Sequence, residues 1–156
     1  MAGEVEKLSL YMGESKKVGR EDVQALTSSS REVLAWDFAD AFGKRNLGQA
    51  LELLRRLVFQ KESPIGLIIL LQSRIWDLLI YREALDKGWV REKGGHGRGA
   101  NYEWGEVPPD VDARLSGAGK DPRSIHPFRV GVLASQAKLF SPRELRRAQR
   151  AIVQAH

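Results

Sequence analysis

The chain has 156 residues, of which 42% are hydrophobic and 29% charged, a composition typical of one ordinary globular domain. It contains no cysteine, which excludes disulfides, thiolate zinc sites and cysteine nucleophiles. The formal net charge of +5 favours a polyanionic partner without requiring one. The N-terminal residues carry neither the basic region nor the apolar stretch of a secretory signal, so we expect a cytoplasmic protein.

The first part of the chain predicts three helical segments. Apolar residues at helical spacing predict a helix over 4–12, and a second, shorter helix over 20–26 carries acids in its first turn. Thr27-Ser28-Ser29-Ser30 interrupts the periodicity, so we expect a domain boundary there. The third helix, over 33–42, presents an apolar face and begins the next domain.

A capping-box pattern, Asn46-Leu47-Gly48-Gln49, predicts that the next helix begins at Leu47. The residues between this helix and the following one, 60–63, are too few for anything except an antiparallel return. The long helix that follows is therefore expected to fold back on it. The helix that begins at Leu47 is expected to present six apolar residues at helical spacing on its inward face: Leu47, Ala50, Leu51, Leu54, Leu57 and Val58.

The longest helix is expected to lie at the centre of the fold. Ser63-Pro64 is a strong helix start, and Gly88 stands where a C-cap is expected. Residues 65–71 are apolar on every side, which predicts burial all round at this end. The unbroken apolar run is only seven residues long, whereas a membrane crossing needs about 20. We therefore interpret it as a core helix and expect no membrane span.

The segment 88–124 lacks a helical pattern and is rich in glycine. We interpret it as an insert that can hold a small β-hairpin, with Trp89-Val90 pairing against the residues around Tyr102 and Trp104. The run around Arg98 is either a flexible surface loop or an Arg/Gly segment that touches nucleic acid. Trp89, Arg98, Tyr102 and Trp104 are accordingly candidates for contact with DNA. The other interpretation is that the insert packs on its own domain.

Two helices are predicted near the C-terminus. One begins at His126-Pro127, with the histidine as its cap, and the other begins at the capping box Ser141-Pro142-Arg143-Glu144. The last helix carries arginines at positions 143, 146, 147 and 150, which crowd one side of it. This basic stripe is either a solvated outer face or a contact with an acidic partner or nucleic-acid phosphates.

No active site is predicted. The chain has no phosphate-binding loop and no histidines at metal-ligand spacing, so we expect no catalytic residue, cofactor or metal ion. Asp37 and Asp40 share a helix face, which we interpret as a solvated edge. The expected fold is an all-α helical bundle, and its expected core consists of Phe38, Phe42, Leu51, Leu54, Ile68, Leu71, Ile75, Leu79, Val130 and Leu133.

Several blocks resemble the delta subunit of bacterial DNA polymerase III, the wrench of the clamp loader. Glu4-x-Glu6-Lys7-Leu8-x-Leu10-Tyr11 with Glu21-Asp22-Val23 resembles the end of its lid domain. Trp36-Asp37-x-Ala39-Asp40-Ala41-Phe42, the helix after Asn46 and His126-Pro127-Phe128-Arg129-Val130 resemble its helical collar domain. The resemblance implies a lid remnant over 1–29 and a collar over 30–156 that contains the insert 88–124.

The resemblance also implies a non-catalytic role within the DNA polymerase III holoenzyme. Delta subunits join the other clamp-loader subunits, tau/gamma and delta-prime, through the collar, and they meet the sliding clamp through an N-terminal domain that this sequence lacks. Primer–template DNA is a further expected partner. Both ends of the chain look like cut helices, which suggests a fragment. The competing hypothesis is a free-standing helical adaptor or nucleic-acid-binding module. The candidate partner-binding residues are Arg55, Arg56, Arg74, Arg143, Arg146, Arg147 and Arg150.

Overall fold

A computed structural model describes residues 20–94, 101–117 and 119–155, and describes side chains from Glu32 onward. The helix expected over 4–12, Arg98 and the glycine-rich run around it lie outside the described residues. The described elements are α1 (Arg20–Gly43), α2 (Leu47–Phe59), α3 (Pro64–Asp86), β1 (Val90–Lys93), β2 (Asn101–Trp104), α4 (Pro109–Gly117), α5 (Pro127–Ala137) and α6 (Pro142–Ala155). The predicted all-α class with one small hairpin is confirmed.

Local capping chemistry sets the starts of α3, α5 and α6. The Ser63 hydroxyl accepts a hydrogen bond from the backbone N–H of Gly66 at 3.3 Å, and His126 Nδ1 accepts one from Phe128 at 3.2 Å. At α6 the box is reciprocal: Ser141 Oγ accepts from the Glu144 N–H, and Glu144 Oε2 accepts from the Ser141 N–H at 2.8 Å. These helix starts are confirmed because each depends on residues within one turn.

α1 is a continuous helix through residues 27–30, so the predicted break in secondary structure is wrong. Relative to alanine, serine and threonine destabilise a helix by less than about 0.7 kcal/mol each. Extending a helix that is already formed is easier than starting one, so the helix can continue through such a run. The domain boundary near residue 29 stays a prediction, since a domain boundary can fall within a helix.

The inward face of α2 differs from the predicted one. Ala50, Leu53 and Leu57 are buried against α1, which is the main neighbour of α2 rather than α3. The apolar residues of α2 cover more than half of its circumference, so two stripes fit a helix equally well and only the neighbour decides between them. The members of the predicted stripe that lie exposed are Leu47, Leu51 and Val58.

Two apolar clusters form the core, and α3 passes through both. The first joins α1, α2 and the start of α3 around Phe38, Leu57 and Leu67. The second joins the later part of α3 to the hairpin, α5 and α6 around Tyr81 and Leu133. Of the predicted core, Leu51 is exposed, and the half-buried members are Phe42, Leu54, Ile68, Leu71 and Leu79.

The insert contains the predicted antiparallel hairpin, in which Val90 lies opposite Trp104 and Glu92 opposite Tyr102. It also contains α4, which the sequence interpretation missed. Its local signals are a proline at the first helical position, Asp110 and Asp112 in the first turn and an arginine in the last turn. The absence of a buried apolar face on this short helix hid it from a search for hydrophobic periodicity.

Candidate partner-docking groove

One side of α3 lies open, although its apolar sequence predicted burial all round. Ile69 is 51% exposed and Trp76 50%, and Trp36 of α1 beside them is 46% exposed. A helix that is apolar on every side can bury only the part of its surface that its neighbours cover. The exposed side forms a wall of a groove of about 760 Å³ lined by Trp36, Gly66, Ile69, Leu70, Ser73, Arg74, Trp76, Asp77, Ile80, Tyr81, Lys120, Pro122, Ile125, Arg129 and Leu133. We call it the α3 groove.

By length and composition alone, α3 is apolar enough to cross a membrane, and 28% of its most apolar 18-residue stretch is buried. Its other sides pack against α1, α5 and α6 of the same domain. Arg74, near its middle, is buried in that packing. The packing supports its interpretation as a core helix with one uncovered side.

A buried arginine forms the polar floor of the α3 groove. Arg74 is 2% exposed, and its Nη1 donates hydrogen bonds to Asp40 Oδ1 at 2.5 Å and to Gln136 Oε1 at 2.8 Å. The interpretation of Asp40 as a solvated edge is therefore wrong, because this carboxylate is the counter-ion of a core arginine. The other terminal nitrogen, Arg74 Nη2, is buried and has no hydrogen-bond acceptor among the described residues.

Both groups of the Arg74–Asp40 pair are ionised. Burial alone would raise the pKa of Asp40, but the hydrogen bond and charge of Arg74, with help from Gln136 and Arg129, hold that pKa below its usual value. Burial lowers the pKa of Arg74, which keeps its proton because an arginine is not deprotonated in proteins. Nη2 is therefore a charged donor that stays unsatisfied within the core that the structure describes.

Asp77 lies one turn further along the same groove wall. It is half-buried, and burial raises the pKa of its carboxyl even though Arg74, Arg129 and Lys120 act in the opposite direction. Within the described part of the chain nothing donates a hydrogen bond to it. Of these two groups the groove presents only the Asp77 carboxylate to a partner, because Arg74 Nη2 lies beneath the surface, where an unsatisfied donor is costly to the fold.

Aromatic side chains beside the groove are held by a cation–π contact and by hydrogen bonds. The Arg129 guanidinium lies 5.1 Å from the centre of the Trp36 ring and 3.6 Å from Asp40. One turn after Asp77 on α3, the hydroxyl of the buried Tyr81 donates to the Pro122 carbonyl at 3.0 Å and accepts from Trp104 Nε1. Burial raises the pKa of Tyr81 to about 12, so the hydroxyl stays neutral and keeps this bond.

The chemistry of the α3 groove is that of recognition. Among the described residues, no three His, Asp or Glu side chains are grouped as a metal site would require. Two half-exposed tryptophans beside the Asp77 carboxylate resemble the centre of a protein–protein interface, where aromatic anchors carry most of the binding energy. Trp36, Trp76 and Asp77 were not predicted as site residues. The available signal was a pair of tryptophans on helices that already had enough apolar residues for a core.

The predicted arginines fall into three environments. Arg74 lies in the floor of the α3 groove. On α2, Arg55 is exposed and Arg56 pairs with Glu52 at 2.5 Å. The other four lie exposed on α6, on the side opposite the buried Leu145: Arg143, Arg146, Arg147 and Arg150.

The aromatic residues predicted to touch DNA pack against their own domain. Tyr102 is buried beneath Lys138, whose Nζ lies 4.7 Å from the ring centre. Trp104 is half-buried and meets the Tyr81 ring edge-on at a centroid distance of 5.4 Å. Trp89 is half-buried against the same cluster. These faces are therefore mostly occupied by protein.

Comparison with known proteins finds a sequence relative and a related solved structure. No protein-family profile matches the chain. A DNA polymerase III subunit delta from Bacillus subtilis (strain 168) is 24% identical over 143 residues, which is 92% of this chain and 34% of that protein. The structure of the Bacillus subtilis DNA clamp loader delta protein superposes with a TM-score of 0.53, at 22% identity, over 97% of this chain and 37% of that one. Over nearly all of its length, the chain thus resembles about one third of a clamp-loader delta subunit, as its sequence motifs predicted.

Proposed function

We propose that this chain is the collar part of a clamp-loader delta subunit and that its role is non-catalytic assembly. The support is the relative's name, DNA polymerase III subunit delta, together with the shared fold. The proposed partners are the neighbouring tau/gamma and delta-prime subunits in the cytoplasm. Contact with the sliding clamp belongs, in this proposal, to the two thirds of the relatives that the chain does not cover.

The observation that carries the proposal is the α3 groove. A helix from a neighbouring subunit would insert apolar side chains between Trp36, Ile69 and Trp76. These three residues are each about half exposed, and the insertion would remove that exposed surface from water. A polar group of that helix would donate a hydrogen bond to the Asp77 carboxylate, which lines the groove. Such a contact needs rigid anchors rather than reactive groups, which agrees with the character of the groove.

The proposed division of the chain follows the same resemblance: lid remnant over 1–29, collar over 30–156. Because α1 runs from Arg20 to Gly43, the two parts would share one helix and move as a unit near their junction. The exposed Arg55 and Arg56 of α2 are secondary candidates for subunit contact at the rim of the assembly, where ion pairs set orientation more than affinity.

The test measures binding of the chain to purified delta-prime and tau/gamma subunits by calorimetry. Trp76→Ala should weaken binding by at least tenfold, since anchors of this kind cost more than about 1.4 kcal/mol when truncated. The matched control is Phe59→Ala, because Phe59 is 89% exposed at the end of α2 and does not line the groove. Equal effects of the two changes, or no binding by the unaltered chain, would contradict the proposal.

A further inference from the structure

The outer face of α6 carries a concentration of positive charge that neither the core nor the α3 groove explains. Arg143, Arg146, Arg147 and Arg150 line one shallow depression and are all exposed. They recur at spacings of three and four residues, which puts their side chains next to one another on the helix. The buried residue of this helix, Leu145, lies on the opposite side, so none of the four is needed for packing.

This charge is poorly neutralised by the rest of the domain. In the described part of the chain no carboxylate pairs with any of the four arginines, and the one acid of α6, Glu144, is engaged by Arg45 at 2.9 Å and by its own cap. Arg146 Nε donates to the Pro142 carbonyl, which leaves its terminal nitrogens free. The stripe also begins in the first turn, where the helix dipole disfavours cations. Helix stability therefore does not account for these four residues.

We propose that the outer face of α6 binds the phosphate backbone of nucleic acid without reading its sequence. Arginine presents a planar fork of donors that matches phosphate oxygens, and the positive end of the helix dipole adds to the attraction. The span from Arg143 to Arg150 is about 10.5 Å along the helix axis. Because duplex DNA carries one charge per ~1.7 Å, several phosphates face this stripe at once.

The composition of the face favours nucleic acid over an acidic protein. Protein interfaces are centred on apolar or aromatic anchors, whereas nucleic-acid interfaces are polar and strongly positive. Among the described residues of α6 the one exposed large apolar side chain is Val153, which lies at the edge beyond Arg150. This inference does not depend on the clamp-loader proposal, since it concerns a different face of the domain.

The test is fluorescence anisotropy of the full chain with a labelled 20-nucleotide oligo-dT and with a 20-base-pair duplex, between 50 and 300 mM salt. The unaltered chain should bind at low salt with a log–log salt slope of roughly −3 to −4, because each phosphate contact contributes about −0.9 on duplex and −0.7 on a single strand. The variant with all four arginines changed to Gln should lose at least tenfold in affinity at 50 mM salt. The magnitude of its salt slope should decrease by about one unit for each phosphate contact removed.

Three controls keep the result interpretable. Arg55→Gln, at an exposed arginine of α2, should keep the slope, and circular dichroism should show that all variants fold. The double variant Arg146→Gln/Arg147→Gln should give an intermediate slope if the fourfold change disturbs the helix. Trp76→Ala should bind nucleic acid normally, which separates this site from the α3 groove. An unchanged slope in the fourfold variant, or equal displacement by poly-glutamate of the same charge, would overturn the proposal.

Discussion

Gln136 is the residue on which the polar centre of the core depends. Its amide oxygen accepts from Arg74, its nitrogen lies 3.4 Å from Asp40, and it is buried against Gly43 at the end of α1. A neutral amide can satisfy a cation and an anion at the same time, because it has both an acceptor and two donors. The close approach of the α1 backbone is what holds the amide in this position.

Gly43→Ala should destabilise the domain. A Cβ at this position would lie 2.0 Å from Gln136 Oε1 and 2.5 Å from its Cδ, so the amide must leave its bonds to Arg74 and Asp40. We expect a loss of about 1–3 kcal/mol in the free energy of unfolding, as for other overpacked cores. Urea unfolding measures it. Gly48→Ala in α2 is the control, since its Cβ would meet nothing closer than 3.9 Å and the change should be neutral or stabilising.

The lowered pKa of Glu144 predicts that the free energy of unfolding decreases in acid. Hydrogen bonds from the Ser141 backbone, Arg45 and the Ser141 hydroxyl lower its pKa from 4.5 to about 2. A carboxyl whose folded pKa is depressed stabilises the fold above its unfolded pKa and stops doing so as the pH falls through the folded one. The stabilisation should therefore disappear between about pH 4.5 and pH 2.

The measurement is urea unfolding of the unaltered chain and of Glu144→Gln at several pH values between 2 and 7. The difference between the two should be largest near neutral pH and should vanish toward pH 2. Subtracting the curves removes the titration of Asp40, Asp86 and Asp121, whose pKa values are also lowered. Arg45→Gln should give a smaller difference of the same sign. A difference that is constant with pH would mean that the carboxylate charge does not matter.

At the scale of elements, helix starts could be predicted from sequence and helix facings could not. The starts at Ser63, His126 and Ser141 depend on side chains within one turn, so the pattern of residues is sufficient. The facing of α2 depends on which neighbour covers it, and two apolar stripes were available. Only tertiary packing decides between them.

The residues of the α3 groove could be predicted only in part, because their roles depend on contacts that are distant in the sequence. The sequence marks Arg74 and the tryptophans as unusual on an apolar helix, but their roles depend on partners far along the chain. Gln136, which bonds to Arg74, is 62 positions away from it, and Asp40 is 34 positions away. Such pairs leave no local signal in one sequence. The resemblance to delta subunits supplied the expected family of the fold, but no residue-level picture of the groove.

The facing of α2 gives a prediction for a pair of neighbouring leucines. Leu53→Ala should cost about 2–5 kcal/mol, because Leu53 is buried between α2 and α1 and its loss leaves a cavity. Leu51→Ala should cost well under half as much, since that side chain is 47% exposed. Thermal and urea unfolding of both variants measures the contrast. The opposite order would restore the facing that the sequence first indicated.

At the scale of the whole molecule, α3 connects the two core clusters. Its first turns contribute Leu67 to one cluster, and its later turns contribute Leu78 and Tyr81 to the other. A helix forms cooperatively, so loss of packing at one end should weaken the packing at the other. We therefore expect the described domain to unfold as one unit.

The prediction is a single transition with coincident midpoints by far-ultraviolet circular dichroism and by tryptophan fluorescence. Leu57→Ala affects the first cluster and Leu133→Ala the second, and each should shift both signals together. Two separated transitions, each sensitive to only one of the two changes, would mean that the clusters are independent.

The burial of Tyr102 has a consequence for how freely this protein can be shortened. The hairpin contributes Val90 and Tyr102 to a cluster that also contains Tyr81 and Leu133, and Lys138 of the next segment reaches back to Glu92 at 3.1 Å. A truncation that removed 88–124 would therefore take part of the hydrophobic interior with it and expose what remained. A relative with a shorter connection between α3 and α5 must fill that space with other side chains. Among relatives, a shorter segment should therefore be accompanied by larger side chains at the positions that face it.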